Sequence, residues 1–285
     1  MLELGVTYSV RRDLLYKGTA RVEFVETLFT GGRFLVPPKI LVIHFTYGAS
    51  ARSSANWFRD RKNPGSSAHV IVDRDGSVVQ CADFNTVCWH AGKSRLRDII
   101  GLNEHALSIE IANWGYLRQV GDRWNSHTGV AIAKATLATH KNGNPDGSPS
   151  PCGWEPYPEV QILSATAVAT ALVTEYGITE IVGHDDISKG RKWDPGPAFD
   201  MLRLRARVFG DRGISGDNRL RITPSDGLNL RAGPGTQYIA LELLPVDTMV
   251  DVLQREGQWL SVSVIGSNSK PRATGWVHSH YVDGE

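Results

Sequence analysis

The sequence predicts an α/β domain followed by a small all-β barrel, and three observations carry that reading. Ile40-Leu41-Val42-Ile43 is an unbroken apolar run, the pattern of a strand buried on both faces of an open sheet. Val160, Leu163, Ala167, Ala171 and Leu172 keep helical spacing behind Pro158, and Gly177 supplies the stop. Past residue 218 the texture changes to short strands at roughly eight-to-twelve-residue spacing, the rhythm of a sandwich or barrel. The polar, glycine-rich stretch 210–218 marks the boundary. The expected organisation is therefore a first domain over 1–209, a linker over 210–218 and a second domain over 219–285.

A chain of 285 residues is long enough for two such unequal parts, and 41% hydrophobic content supplies their cores. A net charge of +1 argues against nucleic acid as a partner. Cys81, Cys88 and Cys152 form no CxxC pair, so they read as small apolar residues and not as a disulfide framework or metal site. The first residues, Met1 to Arg12, lack the basic-then-apolar order of a secretory signal. No apolar run approaches the ~18 residues of a membrane helix. The expectation is synthesis in the cytoplasm, no membrane insertion, and delivery by other means if the protein acts elsewhere.

Taken in order, Arg21 to Glu26 alternates like a strand, and Pro37-Pro38 punctuates the entry to the buried run. His44 stands at that run's carboxyl end, where open α/β sheets present their chemistry. Alone, it reads more readily as a core or capping histidine than as a ligand. Ser53 to Arg61 is a predicted short helix, anchored by Trp57 and Phe58. Two β-branched runs then flank Asp73-Arg74-Asp75-Gly76, a hairpin signal, with His69 assigned to the strand's own packing. His90, in Cys88-Trp89-His90-Ala91-Gly92, is a candidate for a cleft wall.

Leu107 to Asn113 alternates, with Leu107, Ile109 and Ile111 on one face and Ser108, Glu110 and Ala112 on the other. A carboxylate among small residues is costly unless paired or wet, so Glu110 marks either an exposed face or a base aimed into a site. His140 to Tyr157 is a long Gly/Asn/Pro/Ser-rich loop whose Trp154 and Tyr157 suggest a groove wall. After the helix, Ile178 to Val182 leads into His184, with Lys192 and Asp194 in the same glycine- and proline-punctuated loop. An imidazole and a carboxylate are ordinary zinc ligands, and Lys192 adds an ammonium beside them. Met201 to Phe209 reads as a last helix.

Ile43-His44, Ile109-Glu110-Ile111 and Gly183-His184 through Asp194-Pro195-Gly196-Pro197 occur in the order seen in zinc-dependent N-acetylmuramoyl-L-alanine amidases. The chain resembles that type-2 amidase family over about 38–205, including Ser-Ala-His69 and Trp89-His90-Ala91-Gly92. The run from Gly190 to Asp200 is particularly similar to the muropeptide-recycling, AmpD-type branch. The resemblance implies a mixed central β-sheet flanked by helices. It also implies His44, His184 and Asp194 as ligands of zinc (Zn2+), Glu110 as general base and Lys192 as oxyanion stabiliser. His90, Asn113 and Trp154 are the candidate substrate contacts. Ser108 departs from the glycine more often found in relatives. Residues 1–37 match nothing in the family.

Residues 219–285 resemble a bacterial SH3-like domain through Leu228-Asn229-Leu230-Arg231-Ala232-Gly233-Pro234-Gly235-Thr236 and Gly275-Trp276-Val277. In that family the domain commonly binds cell-wall peptides. The expected reaction is cleavage of the amide joining N-acetylmuramic acid to the L-alanine of the stem peptide, in peptidoglycan or muropeptides. The alternatives are a non-catalytic peptidoglycan-binding protein and a cytosolic recycling amidase. A general zinc peptidase is disfavoured by the lack of an HExxH helix. The expected role is endolysin or secreted antibacterial effector, with a holin or an immunity protein as the corresponding partner.

Overall fold

In the computed structural model, which describes residues 7–209, 219–256, 258–266 and 271–284, the apolar run at 40–45 is an inner strand of a six-stranded sheet. The predicted linker, 210–218, lies outside the described residues. By internal packing the chain divides into a unit over 1–201 and a second over 202–285.

In the first unit the sheet contains β1 (Glu23–Phe24), β2 (Ile40–Phe45), β3 (Val70–Val72), β4 (Val78–Gln80), β5 (Ala106–Ile111) and β6 (Glu180–Gly183), in the order β6-β2-β5-β3-β4-β1. It is mixed: β6, β2, β5 and β3 pair in parallel, β3 and β4 form an antiparallel hairpin, and β1 pairs in parallel with β4. Parallel strands buried on both faces read as near-continuous apolar runs, and β2 and β3 do. Their neighbour β5 alternates for a different reason. Ser108 is buried because its hydroxyl lies 2.8 Å from His69 Nδ1, and the His69 amide donates to it as well. The hydroxyl that replaces the expected glycine thus holds a buried histidine.

Helix α1 spans Ala51–Phe58 and starts two residues earlier than predicted, because Ser50 and Ser53 form a capping box. The Asp73 carboxylate accepts from the Ala51 amide and ties the helix to the β3–β4 turn. Ala51, Ser54, Ala55 and Phe58 form its buried face, so Phe58 is an anchor and Trp57, 43% exposed, is not. Helix α2 spans Glu159–Tyr176 and ends at Gly177 in the left-handed conformation. Ala171 and Leu172 are buried as expected, but the face differs in the helix's first half. Gln161, Ser164, Ala165, Val168, Ala169 and Leu172 face inward, while Val160 and Leu163 are exposed. Gln161 faces inward because its amide donates to the carbonyls of Ala112, just past β5, and Val72, the last residue of β3. The Val72 carbonyl also accepts from the Ala112 amide at 2.9 Å, so the Gln161 bond matters most to Ala112 O, because a buried carbonyl left unpaired is costly.

Residues 7–20, unassigned by sequence, cover α2 and the sheet edge, and Glu23–Phe24, within the strand expected over 21–26, is β1. Strands Tyr8–Arg11, Leu14–Lys17 and Ala20–Arg21 form a small antiparallel sheet, in which Leu15 is fully buried. The Tyr176 hydroxyl donates to Asp13, and the Gln80 side chain pairs with both Leu15 N and Asp13 O.

The loop expected over 140–157 is irregular over 140–151, but Cys152–Trp154 is a strand. Tyr116–Val120, Arg123–Asn125, Ala131–Ile132, Thr136–Ala138 and Cys152–Trp154 form a second antiparallel sheet. Trp154 and Tyr157 do not line a groove; both are buried. The Trp154 indole donates to Ala138 O, and the Tyr157 hydroxyl donates to Pro195 O. Among the described residues no helix is long and apolar enough to cross a membrane.

In the second unit, seven strands form one curled antiparallel sheet around Ile222, Leu230, Leu244, Val250, Leu260, Val262, Val264 and Val277. Ala240–Leu244 and Val282–Gly284 are strands beyond the five predicted. Leu230 packs so closely on Gly275 that a Cβ there would lie 2.7 Å from its Cγ, which requires glycine. Before this sheet comes α4, Met201–Phe209.

Candidate active site

The β2–β5 register sets the site. Glu110 pairs with His44 across two parallel strands, and paired residues share a face of the sheet. Gly183 pairs with Ile43, which brings the following residue, His184, level with His44 as it opens the one-turn helix α3 (His184–Ile187). Gly183 is required by close approach, since a Cβ there would lie 2.8 Å from Pro195 Cδ. The chain then returns, and the Asp185 amide donates to Asp194 O at 2.8 Å, placing the Asp194 carboxylate beside the histidines.

His44 Nδ1 lies 2.9 Å from His184 Nδ1 and 2.9 Å from Asp194 Oδ2, and His184 Nδ1 lies 2.8 Å from the same oxygen. All three residues are buried. Burial first, and the His184 ring next, hold the His44 pKa down at about 4, so its imidazole is neutral at pH 7. Burial alone would raise Asp194, but the charge and hydrogen bonds of His184 and His44 hold it well below the usual carboxylate range. The donor set fits a metal ion. His184 Nε2 lies 3.1 Å from Ala91 O, which can only accept, so that nitrogen carries the proton and Nδ1 presents a bare lone pair to the cluster. A lone pair, a second imidazole nitrogen and a carboxylate oxygen crowded together in a buried site want a cation.

This cluster lies in a cleft of about 700 Å³ whose lining also contains Glu110, Lys192, His90, Arg191 and several aromatic rings. Glu110 Oε2 is buried and has no hydrogen-bond partner among the described residues. Burial first and the Asp194 charge second raise the Glu110 pKa well above its usual value, with Lys192 partly opposing them. A carboxylate so placed is a stronger proton acceptor than an ordinary glutamate.

Of the substrate candidates, the structure brings only His90 into the cleft lining, and both its ring nitrogens are already engaged, with His44 and Ala106 O. Asn113 is 1% exposed; its side chain donates to Glu155 O and accepts from the Gly115 amide. Trp154 lies beneath the site loop, about 3.0 Å from where a Gly196 Cβ would be. Both support the site from behind. Residues not singled out from sequence complete the cleft: Tyr47 stacks on His127 with ring centroids 3.9 Å apart, and Trp193 donates to Gly143 O. His127 and Gly143 sit in the 116–154 region, where no periodicity signalled them. His140 was also missed; its Nε2 lies 3.0 Å from Asp185 Oδ2, fastening that region to α3. Arg191 was the most findable of these, because it lies inside the motif loop and bonds to Ala91 O, Lys93 O and Ser188 Oγ.

The chain was compared with known proteins. The chain is 30% identical over 144 residues to the 1,6-anhydro-N-acetylmuramyl-L-alanine amidase AmpD of Citrobacter freundii, covering 50% of this chain and 57% of that protein. It is 25% identical over 181 residues to the N-acetylmuramoyl-L-alanine amidase AmiD of Escherichia coli K12, covering 60% of this chain and 54% of that one. The chain thus spans little more than half the length of these relatives. A crystal structure of a selenomethionine AmpD derivative superposes with a TM-score of 0.46 at 24% identity, covering 66% of this chain and 94% of that one. Residues 226–283 match the bacterial SH3 domain family. Residues 35–197, more than half of the chain, match the N-acetylmuramoyl-L-alanine amidase family, and the chain belongs to that family.

Proposed function

We propose that the protein is a zinc-dependent peptidoglycan hydrolase that cuts the amide between the lactyl group of N-acetylmuramic acid and the L-alanine of the stem peptide. The observation that carries this reading is the convergence of His44 Nδ1, His184 Nδ1 and Asp194 Oδ2 in a cleft that Glu110 and Lys192 also line. Zinc, when bound, supplies a Lewis acid that polarises a carbonyl and lowers the pKa of water towards ~7. His44, His184 and Asp194 would hold it and leave a further position open. Glu110, desolvated and unpaired, takes the proton of the attacking water and returns it to the departing amine. Lys192 meets the negative charge that develops on the former carbonyl oxygen.

The test combines metal analysis with product identification. The purified chain should hold one zinc, lose activity on chelation, and release a free L-alanine amino terminus from a soluble muropeptide. Full turnover in a protein shown to be metal-free would sink the reading.

We further propose that the enzyme acts on the polymer after release or delivery from the cytoplasm, with a holin or an immunity protein as partner. The SH3 match supports this, because a wall-binding unit raises local concentration at a polymer. The AmpD similarity favours a competing reading, recycling of soluble fragments. Deleting residues 219–285 separates the two. A polymer enzyme loses rate on whole sacculi and keeps it on small muropeptides, whereas a recycling enzyme is indifferent on both.

A further inference from the structure

The segment Trp89-His90-Ala91-Gly92 passes beneath both histidines of the metal cluster and touches each of them with a different group. His90 Nδ1 lies 3.0 Å from His44 Nε2, and the two rings meet edge to face. The other ring nitrogen of His90, Nε2, lies 3.3 Å from Ala106 O. One residue on, Ala91 O lies 3.1 Å from His184 Nε2.

The donor and acceptor roles follow without freedom. A carbonyl oxygen only accepts, so His90 Nε2 carries that ring's proton and its Nδ1 is an acceptor. His44 Nε2 must then be the donor in the 3.0 Å contact, which leaves His44 Nδ1 bare. The Ala91 carbonyl does the same to His184. Both histidines are thereby held in the Nε2–H tautomer with their Nδ1 lone pairs aimed at Asp194.

The segment is itself fixed. Asn103 Oδ1 accepts from the His90 and Ala91 amides at 3.1 and 2.8 Å, and Arg191 shares the Ala91 carbonyl at 2.9 Å.

We propose that residues 89–92 are a tautomer-setting clamp for the metal ligands, and that His90 is a positioning residue whose ring polarises and orients His44 and makes no contact with substrate. The inference rests on the metal reading above. Partners that orient a ligating imidazole typically contribute 10–100-fold to metal affinity.

The test uses the full chain and zinc affinity by competition with a chromogenic chelator, together with nitrogen NMR of the zinc-loaded wild type. His90→Leu removes the acceptor and should weaken zinc binding about 10–100-fold. His90→Asn places an amide oxygen near the former Nδ1 and should restore affinity to within about threefold of wild type, a loss well short of that range. In the wild type, His90 should be protonated at Nε2 alone and His44 at Nε2, with a through-hydrogen-bond coupling between His44 Nε2 and His90 Nδ1. Unchanged affinity in His90→Leu, equal weakening by Leu and Asn, or a proton on His90 Nδ1 in the loaded enzyme would each overturn the proposal. If His90→Leu does not fold, the wild-type spectrum decides alone. A wild type that binds no zinc at all would instead remove the metal reading itself.

Discussion

The two units bury different things. In the second, the interior is aliphatic from Ile222 to Val277, and the buried carboxylate Asp251 is answered by a two-pronged bond from Arg219, at 2.8 and 3.0 Å. In the first, aliphatic packing stops at the carboxyl ends of β2, β5 and β6. There the fold buries three histidines and an aspartate, and points at them a glutamate whose Oε2 has no hydrogen-bond partner among the described residues. Burying polar groups without full compensation is costly. Asn125 Oδ1 and Gln161 Oε1 are also buried without a hydrogen-bond partner among the described residues. In this cleft, though, an unpartnered carboxylate stands with two histidines and an aspartate, which marks a place shaped by chemistry as well as stability. The second unit's interior, by this contrast, is replaceable volume for volume.

Three experiments sharpen or break the contrast, taken from the largest expected effect down. Glu110→Gln keeps the shape and removes the proton acceptor, so turnover on a soluble muropeptide should fall about 10²–10⁴-fold with metal content and melting temperature unchanged. Retained turnover with metal bound would move the base elsewhere, and His90 is then a poor substitute because both its nitrogens are engaged. Leu260→Ala, at a fully buried position of the second unit, should cost about 2–5 kcal/mol there. Hydrogen exchange across 219–284 would report that loss, while muropeptide turnover stays near wild type; a matching loss of turnover would contradict the separation of roles.

The smallest effect is alkaline. Burial, helped by the charges of Glu110 and Glu23, pushes the Cys81 thiol from 9.0 up to about 12. A raised thiol keeps its stabilising contribution below pH 9, and the contribution is lost as pH rises from there towards 12, because the unfolded chain ionises first. Urea midpoints of the first unit should therefore decline over that window, by on the order of 1 kcal/mol at pH 10 from this group. Cys81→Ala should flatten part of the slope. The second unit has no cysteine and should lack this component.

What was legible in the sequence were residues whose chemistry is tied to position along the chain. His44 ends an apolar run, His184 and Asp194 share one loop, and Glu110 interrupts an alternation; each signal survives without knowing the fold. Rotations were not legible. Val160 and Leu163 looked like the buried face of α2, yet Gln161 faces inward there, its amide donating to the carbonyls of Ala112 and Val72 on other elements. Nor does composition reveal that Trp154 faces Gly196 from below and not the cleft, since that depends on where a five-stranded sheet of very short strands places it. Tyr47 and His127 meet only because that sheet carries residue 127 back to the end of β2.

The convergent donors come from two distant parts of the chain: His44 is separated from His184 by 140 residues and from Asp194 by 150. An unfolded chain scatters them, so an ion held there binds the native state almost exclusively. Such selective binding adds RT ln(1 + [L]/Kd) to stability, about 4 kcal/mol at a thousandfold excess over Kd. Activity and lifetime would therefore rise and fall together. If the ion is zinc, as proposed above, the protein would be both competent and durable where zinc is plentiful, and where chelators compete it would be exposed to proteolysis at the moment it ceases to cut.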